Sequence, residues 1–370
     1  MRAGRQPVIV MMVRPHLEPG GATEHIALLS QGLREAGVKV LLATAGGKSE
    51  EALLEAGVEI IHARLAPSSP SNLLTASAQL ARVVRSRHVS LIHSHHRFGN
   101  LVGRLASRLA GVPLVVTVHE FRHNKRWLGR LLAGDRTIAP SAALARHLRS
   151  HYGFDPETIA VIPNAISVKA AKPRVAGVKA RQGELKDALV VGYLGRLSAE
   201  KGVRYFVESI PLASRECPGT TYVVFGDGPE EHELRTLANR LRIDDTTLSF
   251  RGWSDPLEAM DGLDIVVIPS LEEGFAYVAL EAMRASLPIV ATRVGGLPEI
   301  VADHESGFLA PPRDPAAIAS AVCALLRDSE MRIRFGRRGR TILEERFSLE
   351  AMIRATLRVY ESALGRAWVG

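Results

Sequence analysis

The stretch Glu273-Gly274-Phe275-Ala276-Tyr277-Val278-Ala279-Leu280-Glu281 sets two carboxylates eight positions apart. The apolar run Asp264-Ile265-Val266-Val267-Ile268-Pro269 before it has the length and β-branched content of a buried strand, while Val278 to Ala285 have helical composition. Glu273 then falls in the loop at a strand's C-terminal end, where open α/β sheets bind ligands, and Glu281 about two helical turns later. A second loop follows the run Pro288 to Thr292 and carries Gly295-Gly296, whose backbone amides can approach an anion closely. Further upstream, the strand Ala188 to Leu194 leads into Gly195-Arg196-Leu197-Ser198-Ala199-Glu200-Lys201-Gly202. Ser198 is expected there as the N-cap of a helix, whose free amides and partial positive charge, joined by Arg196 and Lys201, suit a diphosphate.

The elements that must position these groups alternate strand and helix through the whole chain. A buried-strand run, Val8 to Val13, precedes the loop Arg14 to Gly21 and a helix with Ile26, Leu29 and Leu33 on one face, closed by Gly37. Helices with Leu73, Leu74, Leu80 and Val84, and with Leu101, Leu105 and Leu109, alternate with strands Leu91 to His93 and Leu114 to Val118. Ser141 caps a helix over Ala142 to Ser150, and a strand over Ile159 to Ile162 ends in Pro163-Asn164-Ala165. Tyr222 to Phe225, Leu248 to Arg251 and Gly307 to Ala310 read as later strands, Asp314-Pro315 as a helix start, and Leu349 to Leu364 as the last helix. This is parallel-sheet logic. Gly20-Gly21 alone is an ordinary turn, and the full G-x-G-x-x-G dinucleotide fingerprint of a dehydrogenase is missing.

The spacing Glu, seven residues, Glu, with Gly-Phe after the first and Ala-Met after the second, resembles the nucleotide-sugar motif of the family-4 retaining glycosyltransferases. Two glutamates by themselves are what any solvated α/β surface supplies. Gly20-Gly21-Ala22-Thr23-Glu24, the Arg196 and Lys201 spacing, and His119 at the end of Val115 to Val118 extend the resemblance over nearly the whole chain. It implies an α/β GT-B fold, two Rossmann-like parallel-sheet domains, with a C-terminal helix returning to the N-terminal domain. The expected boundaries are residues 1–168 with helix 349–370 on the acceptor side, a linker over 169–185, and residues 186–348 on the nucleotide-sugar side. It further implies transfer of a sugar from a UDP- or GDP-sugar to an acceptor hydroxyl, with retention, no cofactor and no metal. Gly20, Gly21, Arg196 and Lys201 would hold the diphosphate, and Gly252 the base. Glu281 would take the ribose hydroxyls, Glu273 with Gly274, Phe275 and Ala276 the donor sugar, and His119 would touch that sugar from the other domain. Ala165 departs from the glycine usual after Asn164, which puts only a local turn in doubt. A GT-B epimerase or hydrolase, or a non-catalytic nucleotide scaffold, are the alternatives.

Composition bounds the rest. The chain of 370 residues can hold two cores of ordinary size, and its two cysteines fit a reducing cytoplasm rather than a disulfide framework. No apolar run approaches a spanning helix, and no signal-peptide core leads the first strand, so a cytoplasmic protein is expected. The net charge of +8 conceals an asymmetry: residues 1–180 hold 24 Lys/Arg against 11 Asp/Glu, and the remainder is acidic. A basic half suits an anionic partner. No nucleic-acid motif is present. The segment Phe121 to Leu132, if helical, sets Trp127, Leu128, Leu131 and Leu132 opposite Arg122, Lys125, Arg126 and Arg130. That suggests peripheral docking on an anionic membrane to reach a lipid-linked acceptor, with a saccharide acceptor as the other option. His93, His95 and His96 invite a metal reading, but alternate strand-end positions splay His93 and His95 to one face and His96 to the other. A catalytic zinc takes three protein ligands, so no site is expected there.

Overall fold

The computed structural model describes residues 8–65, 70–121, 123, 129–168 and 188–365, with backbone only at Pro70, Ser71 and Arg130. The chain divides into two compact units, Met1–Ala165 with Leu349–Gly370, and Ile166–Ser348. The division falls just before residue 168 because Ile166 is buried in the core of the second unit, beside Met260 and Leu263. The expected linker, 169–185, lies outside the described residues.

The first unit runs β1 (Ile9–Val13), α1 (Gly21–Glu35), β2 (Lys39–Thr44), α2 (Glu50–Glu55), β3 (Glu59–His62), α3 (Pro70–Ser86), β4 (Leu91–Ser94), α4 (Arg97–Ala110), β5 (Leu114–Thr117), α5 (Gly129–Leu132), β6 (Arg136–Ala139), α6 (Ala142–Tyr152) and β7 (Ile159–Val161). Its seven strands pair in parallel in the order β3-β2-β1-β4-β5-β6-β7. The second unit runs β8 (Val190–Leu194), α7 (Val203–Glu216), β9 (Thr221–Phe225), α8 (Glu231–Arg240), β10 (Leu248–Gly252), α9 (Pro256–Asp261), β11 (Ile265–Ile268), α10 (Tyr277–Arg284), β12 (Ile289–Thr292), α11 (Leu297–Ile300), β13 (Gly307–Ala310), α12 (Pro315–Arg327) and α13 (Ser329–Arg346). Its six strands are also parallel, in the order β10-β9-β8-β11-β12-β13. The final helix α14 (Leu349–Leu364) belongs to the first unit.

Strand order decides where ligands can enter. In each sheet the order reverses once, between β1 and β4 in the first unit and between β8 and β11 in the second. At such a point the loops leaving two neighbouring strands turn to opposite faces and open a crevice at the strands' C-terminal ends. The loop 14–20 and His95 flank the first reversal, while Gly195–Gly202 and Pro269–Ala276 flank the second.

The cores follow the apolar strand runs, with one correction in α4. A leucine face was expected, but Leu109 is exposed and the buried face is Gly99, Val102, Gly103, Ala106 and Ser107. Small residues win here because the helix lies so close to the sheet that a Cβ on Gly99 would stand 2.8 Å from Ser94 Oγ. Leu74 is likewise exposed. Of the basic segment 121–132, Arg122 and residues 124–128 lie outside the described residues, as does the Arg130 side chain. Leu132 is buried with Leu144, Leu148 and Tyr152 whereas Leu131 is exposed, so these two leucines do not form the common apolar face expected of them. Among the described residues no helix is long and apolar enough to cross a membrane.

Helix α14 docks on α1 and on the sheet of the first unit. A Cβ on Gly32 of α1 would overlap the Ile353 side chain, so the absence of a side chain at residue 32 makes the place that Ile353 fills. Met352, Ile353, Val359 and Tyr360 are buried among Leu29, Leu33 and Met12. Fully buried Tyr360 places its hydroxyl 2.7 Å from Nδ1 of His93, whose Nε2 is 2.8 Å from Thr117 Oγ1. Both polar ends of the imidazole are satisfied between the last helix and the sheet. Tyr360→Phe keeps the ring and strips one partner from a buried nitrogen, so it is expected to cost about 1–3 kcal/mol. Denaturant titration checks this, and an unchanged midpoint would show that the bond contributes nothing to docking.

Candidate active site

In the second unit, the loops at the strand reversal are fastened to each other before any side chain acts. Gly202 has φ 62°, and a Cβ there would overlap the carbonyl of Pro269. Gly226, with φ 130°, is packed as tightly against the carbonyl of Gly195, and its own N–H donates to Gly252 O at 2.6 Å. Glycine is required at both places by conformation and by space. The amides of Leu271 and Glu272 donate to Glu200 O, and the Tyr193 hydroxyl donates to Arg196 O at 2.8 Å. Burial first, and then the negative charges of Glu273, Glu200 and Glu230, push the Tyr193 hydroxyl well above its ordinary pKa, so it remains a donor.

This framework brings Lys201 and Glu273 together. Lys201 Nζ donates to Glu273 Oε2 at 2.7 Å, and Ser270 Oγ donates to the same oxygen at 3.2 Å. Glu273 is buried. Its backbone is held as well: Gly296 N donates to Glu273 O at 2.9 Å, joining the Gly295-Gly296 loop to the carboxylate's own turn. Thr292 at the end of β12 donates to Ser270 O at 2.5 Å. Ser270 and Thr292 were not singled out from sequence, although polar residues at the ends of two apolar strands carried the signal. Gly274 and Ala276 are buried beside Glu273, and Ala276 caps α10, which carries half-buried Glu281 in its second turn. Phe275 packs on Phe347 in the core and so anchors the loop.

Two details differ from expectation. The chain makes a 3-10 turn over Ala199–Lys201 and begins α7 only at Val203, with Gly202 as cap. Ser198 instead donates to Glu200 Oε1 at 2.5 Å. Partial burial pushes the Glu200 carboxyl up, but this bond, a backbone bond and the charges of Lys201 and Arg196 outweigh it and hold the pKa below the ordinary value. Arg196 is exposed on the loop. Gly252, with φ 68°, ends β10 and precedes the exposed Trp253.

In the first unit, Gly20 precedes α1 with φ 148°, and its carbonyl accepts from Thr23 N and Glu24 N at 3.0 Å. Thr23 Oγ1 donates to Glu18 O at 2.6 Å, closing the loop. His119 leaves β5 half-buried, and its Nε2 lies 3.4 Å from His95 Nδ1. His25 of α1 lies edge-on to His119, with ring centroids 5.0 Å apart. Arg14 reaches His95 O with Nη1 at 3.4 Å. His96 does point away, accepting from Phe98 N to cap α4. Sequence neighbours alone therefore missed the grouping, because His25 and His119 arrive from other elements. Burial is the main reason that the pKa values of His25, His93, His95 and His119 all fall; for His25 it reaches about 4. The Arg14 guanidinium lowers His25, His95 and His119 further. The cluster is neutral at pH 7.

Two parallel-sheet units, each with polar loops at its strand reversal, are the architecture of the GT-B class. Comparison with known proteins agrees. The model of the family described as glycosyl transferases group 1 matches residues 188–328, and that of Glycosyltransferase Family 4 matches residues 19–170. D-inositol 3-phosphate glycosyltransferase from Acidothermus cellulolyticus is 32% identical over 328 residues, spanning 80% of this chain and 72% of that protein. Glycogen synthase from Mycobacterium tuberculosis is 32% identical over 300 residues, 75% of this chain and 70% of that one. The chain belongs to the family-4, group 1 glycosyltransferases. The fold matches a glycosyltransferase from Rickettsia africae with a TM-score of 0.85 at 18% identity, covering 98% and 100% of the two chains. It matches Anabaena HepE, solved with UDP and glucose, with a TM-score of 0.83 at 23% identity over 96% and 100%.

The neutral His25 has a stability consequence. Unfolded, it takes a proton below its ordinary pKa of 6.5; folded, it does so only near 4. Between those values the unfolded state binds more protons, so stability falls as pH falls from 6.5 to 4, by about 3 kcal/mol from this group. In metal-free buffer, His25→Leu is expected to flatten that part of the stability profile. An unaltered slope would show that His25 titrates normally in the folded protein.

Proposed function

We propose that this glycosyltransferase moves a hexose from a UDP- or GDP-sugar to an acceptor hydroxyl with retention of anomeric configuration and without a metal. The observation that carries the reading is the Lys201 to Glu273 pair at the C-terminal end of β11. A lysine ammonium has three donors, so Lys201 can keep Glu273 and still donate to a phosphate oxygen. As the bond between the anomeric carbon and the diphosphate oxygen breaks, negative charge grows on the diphosphate. Arg196 and Lys201 would receive that charge without a divalent ion, and the resemblance gives the amides of the Gly20-Gly21 turn the same role. The acceptor oxygen forms the new bond from the face the diphosphate leaves, and its proton passes to the departing phosphate oxygen. Glu273, held by Lys201 and Ser270, is an acceptor for hydroxyls of the donor sugar; Glu281 takes the ribose hydroxyls, Gly252 lies by the base, and His119 meets the sugar. Retention and the donor class rest on the resemblance; the UDP and UDP-glucose complexes of Anabaena HepE support a uridine donor.

The acceptor is proposed to be a saccharide or lipid-linked glycan of the cell envelope. The basic N-terminal half supports an anionic acceptor or membrane surface reached from the cytoplasm.

Arg196→Ala and Lys201→Ala are each expected to lower turnover by about two orders of magnitude or more, as loss of one preorganised donor to a developing charge does. EDTA should leave the wild type unchanged. Activity that EDTA removes and magnesium or manganese restores would overturn the metal-free reading. The anomeric signal of the product in NMR decides retention directly. The two glutamates separate in a second experiment: Glu281→Ala is expected to weaken binding of the bare nucleotide, whereas Glu273→Gln slows transfer with nucleotide affinity kept. Equal losses of nucleotide affinity by calorimetry would refute that division.

A further inference from the structure

The histidines of the first unit contain an arrangement that sugar transfer does not explain. His25, His95 and His119 each offer one ring nitrogen, and the three nitrogens lie within 4.8 Å of one another. They come from α1, from the loop after β4 and from the loop after β5, so the sheet reversal assembles them. Both ring nitrogens of His25 and Nε2 of His95 are buried with no hydrogen-bond partner, in residues only 4% and 3% exposed. A buried polar atom without a partner is costly, and His25 has a nitrogen to give to a ligand set, while on His95 the atom that faces His119 is Nδ1 rather than the orphaned Nε2. Three imidazoles on one zinc ion at about 2.0–2.1 Å bring their nitrogens to roughly 3.4 Å from one another. His95 Nδ1 and His119 Nε2 already stand at 3.4 Å. His93 is no candidate ligand, because Tyr360 and Thr117 occupy its nitrogens. Its ring lies against His95 with centroids 4.1 Å apart and buttresses that ligand from below.

We propose that His25, His95 and His119 form a three-imidazole site for a divalent ion of the zinc class, and that an ion there blocks transfer. Imidazole ligands select zinc, nickel or copper over magnesium and calcium. Arg14 sets a positive charge beside the three imidazoles and opposes the ion's charge. The blocking step rests on the proposed role of His119 at the donor sugar: a nitrogen spent on a metal cannot accept from a hydroxyl. The binding step does not rest on it.

The test is cobalt and zinc titration of the whole chain after EDTA treatment and dialysis. One equivalent of cobalt per chain is expected to develop the visible bands of a low-coordinate ion, and zinc to displace it. His25→Leu and His95→Leu should each weaken binding tenfold or more. Should those buried replacements unfold the unit, His119→Ala at the half-buried position serves instead, with far-UV circular dichroism as the control. The double variant His147→Ala/His151→Ala on α6, whose rings stack 4.9 Å apart, controls for helix-surface binding and should leave affinity unchanged. Zinc should inhibit transfer, EDTA should relieve it, and His25→Leu should raise the half-inhibiting concentration at least tenfold. No stoichiometric ion, or binding lost in the α6 variant and kept in His25→Leu, overturns the site. Stoichiometric binding with unimpaired transfer overturns the blocking step, a result independent of Lys201 and Arg196.

Discussion

A buried carboxylate is tolerated when cations or donors meet it, and the pairing of Glu273 with Lys201 sets the terms for the loops around it. Charges removed from water are tolerated only when geometry and accessory hydrogen bonds are good. Here the geometry is supplied by backbone. The contact of Gly202 with Pro269 O and the amides of Leu271 and Glu272 on Glu200 O hold the loops of β8 and β11 at one separation, and the Thr292 hydroxyl on Ser270 O ties the β11 loop to β12. Lysine and glutamate therefore meet without either chain segment having to search for the other. The arrangement is also costly to lose in one half, since removing Lys201 leaves a desolvated negative charge.

The first unit solves the opposite problem. Its histidines are held neutral by burial, with Arg14 adding to the effect, and a Cβ on Gly20, just before α1, would meet nothing. A neutral imidazole can accept from a hydroxyl or ligate a metal, whereas an imidazolium can do neither. The depressed basicity of this cluster thus sets which chemistry is open to it.

Much of this was legible in the amino-acid sequence. Parallel strands, the last helix, the caps Ser141 and Asp314, and the glutamate spacing were all carried by local pattern, which the sheets then used unchanged. What escaped has physical reasons. Strand β3 is four residues at a sheet edge with no fully buried side chain, and α8 buries only Leu234 and Ala238, so neither shows a period. Helix α13 is rich in arginine and rests on glycine: a Cβ at Gly336 would overlap Ser286 O. Part of its contact comes from glycines beside Phe335, Ile342 and Leu343, and hydrophobic periodicity does not register that part. The leucines of α4 misled for the same reason. The histidine cluster was invisible because His25, His95 and His119 share no local window; only the sheet order makes them neighbours.

The docking of α14 on the first unit also has a temporal side. Residues 166–348 form a continuous stretch that can close on itself as soon as it leaves the ribosome. The first unit cannot, although its sheet is made earlier, because Leu29, Leu33 and the polar flank of His93 wait for Met352, Ile353 and Tyr360. Until then that face is an exposed greasy groove on a nascent chain, the kind of surface that chaperones hold. The part of the protein synthesised first is the last to be finished.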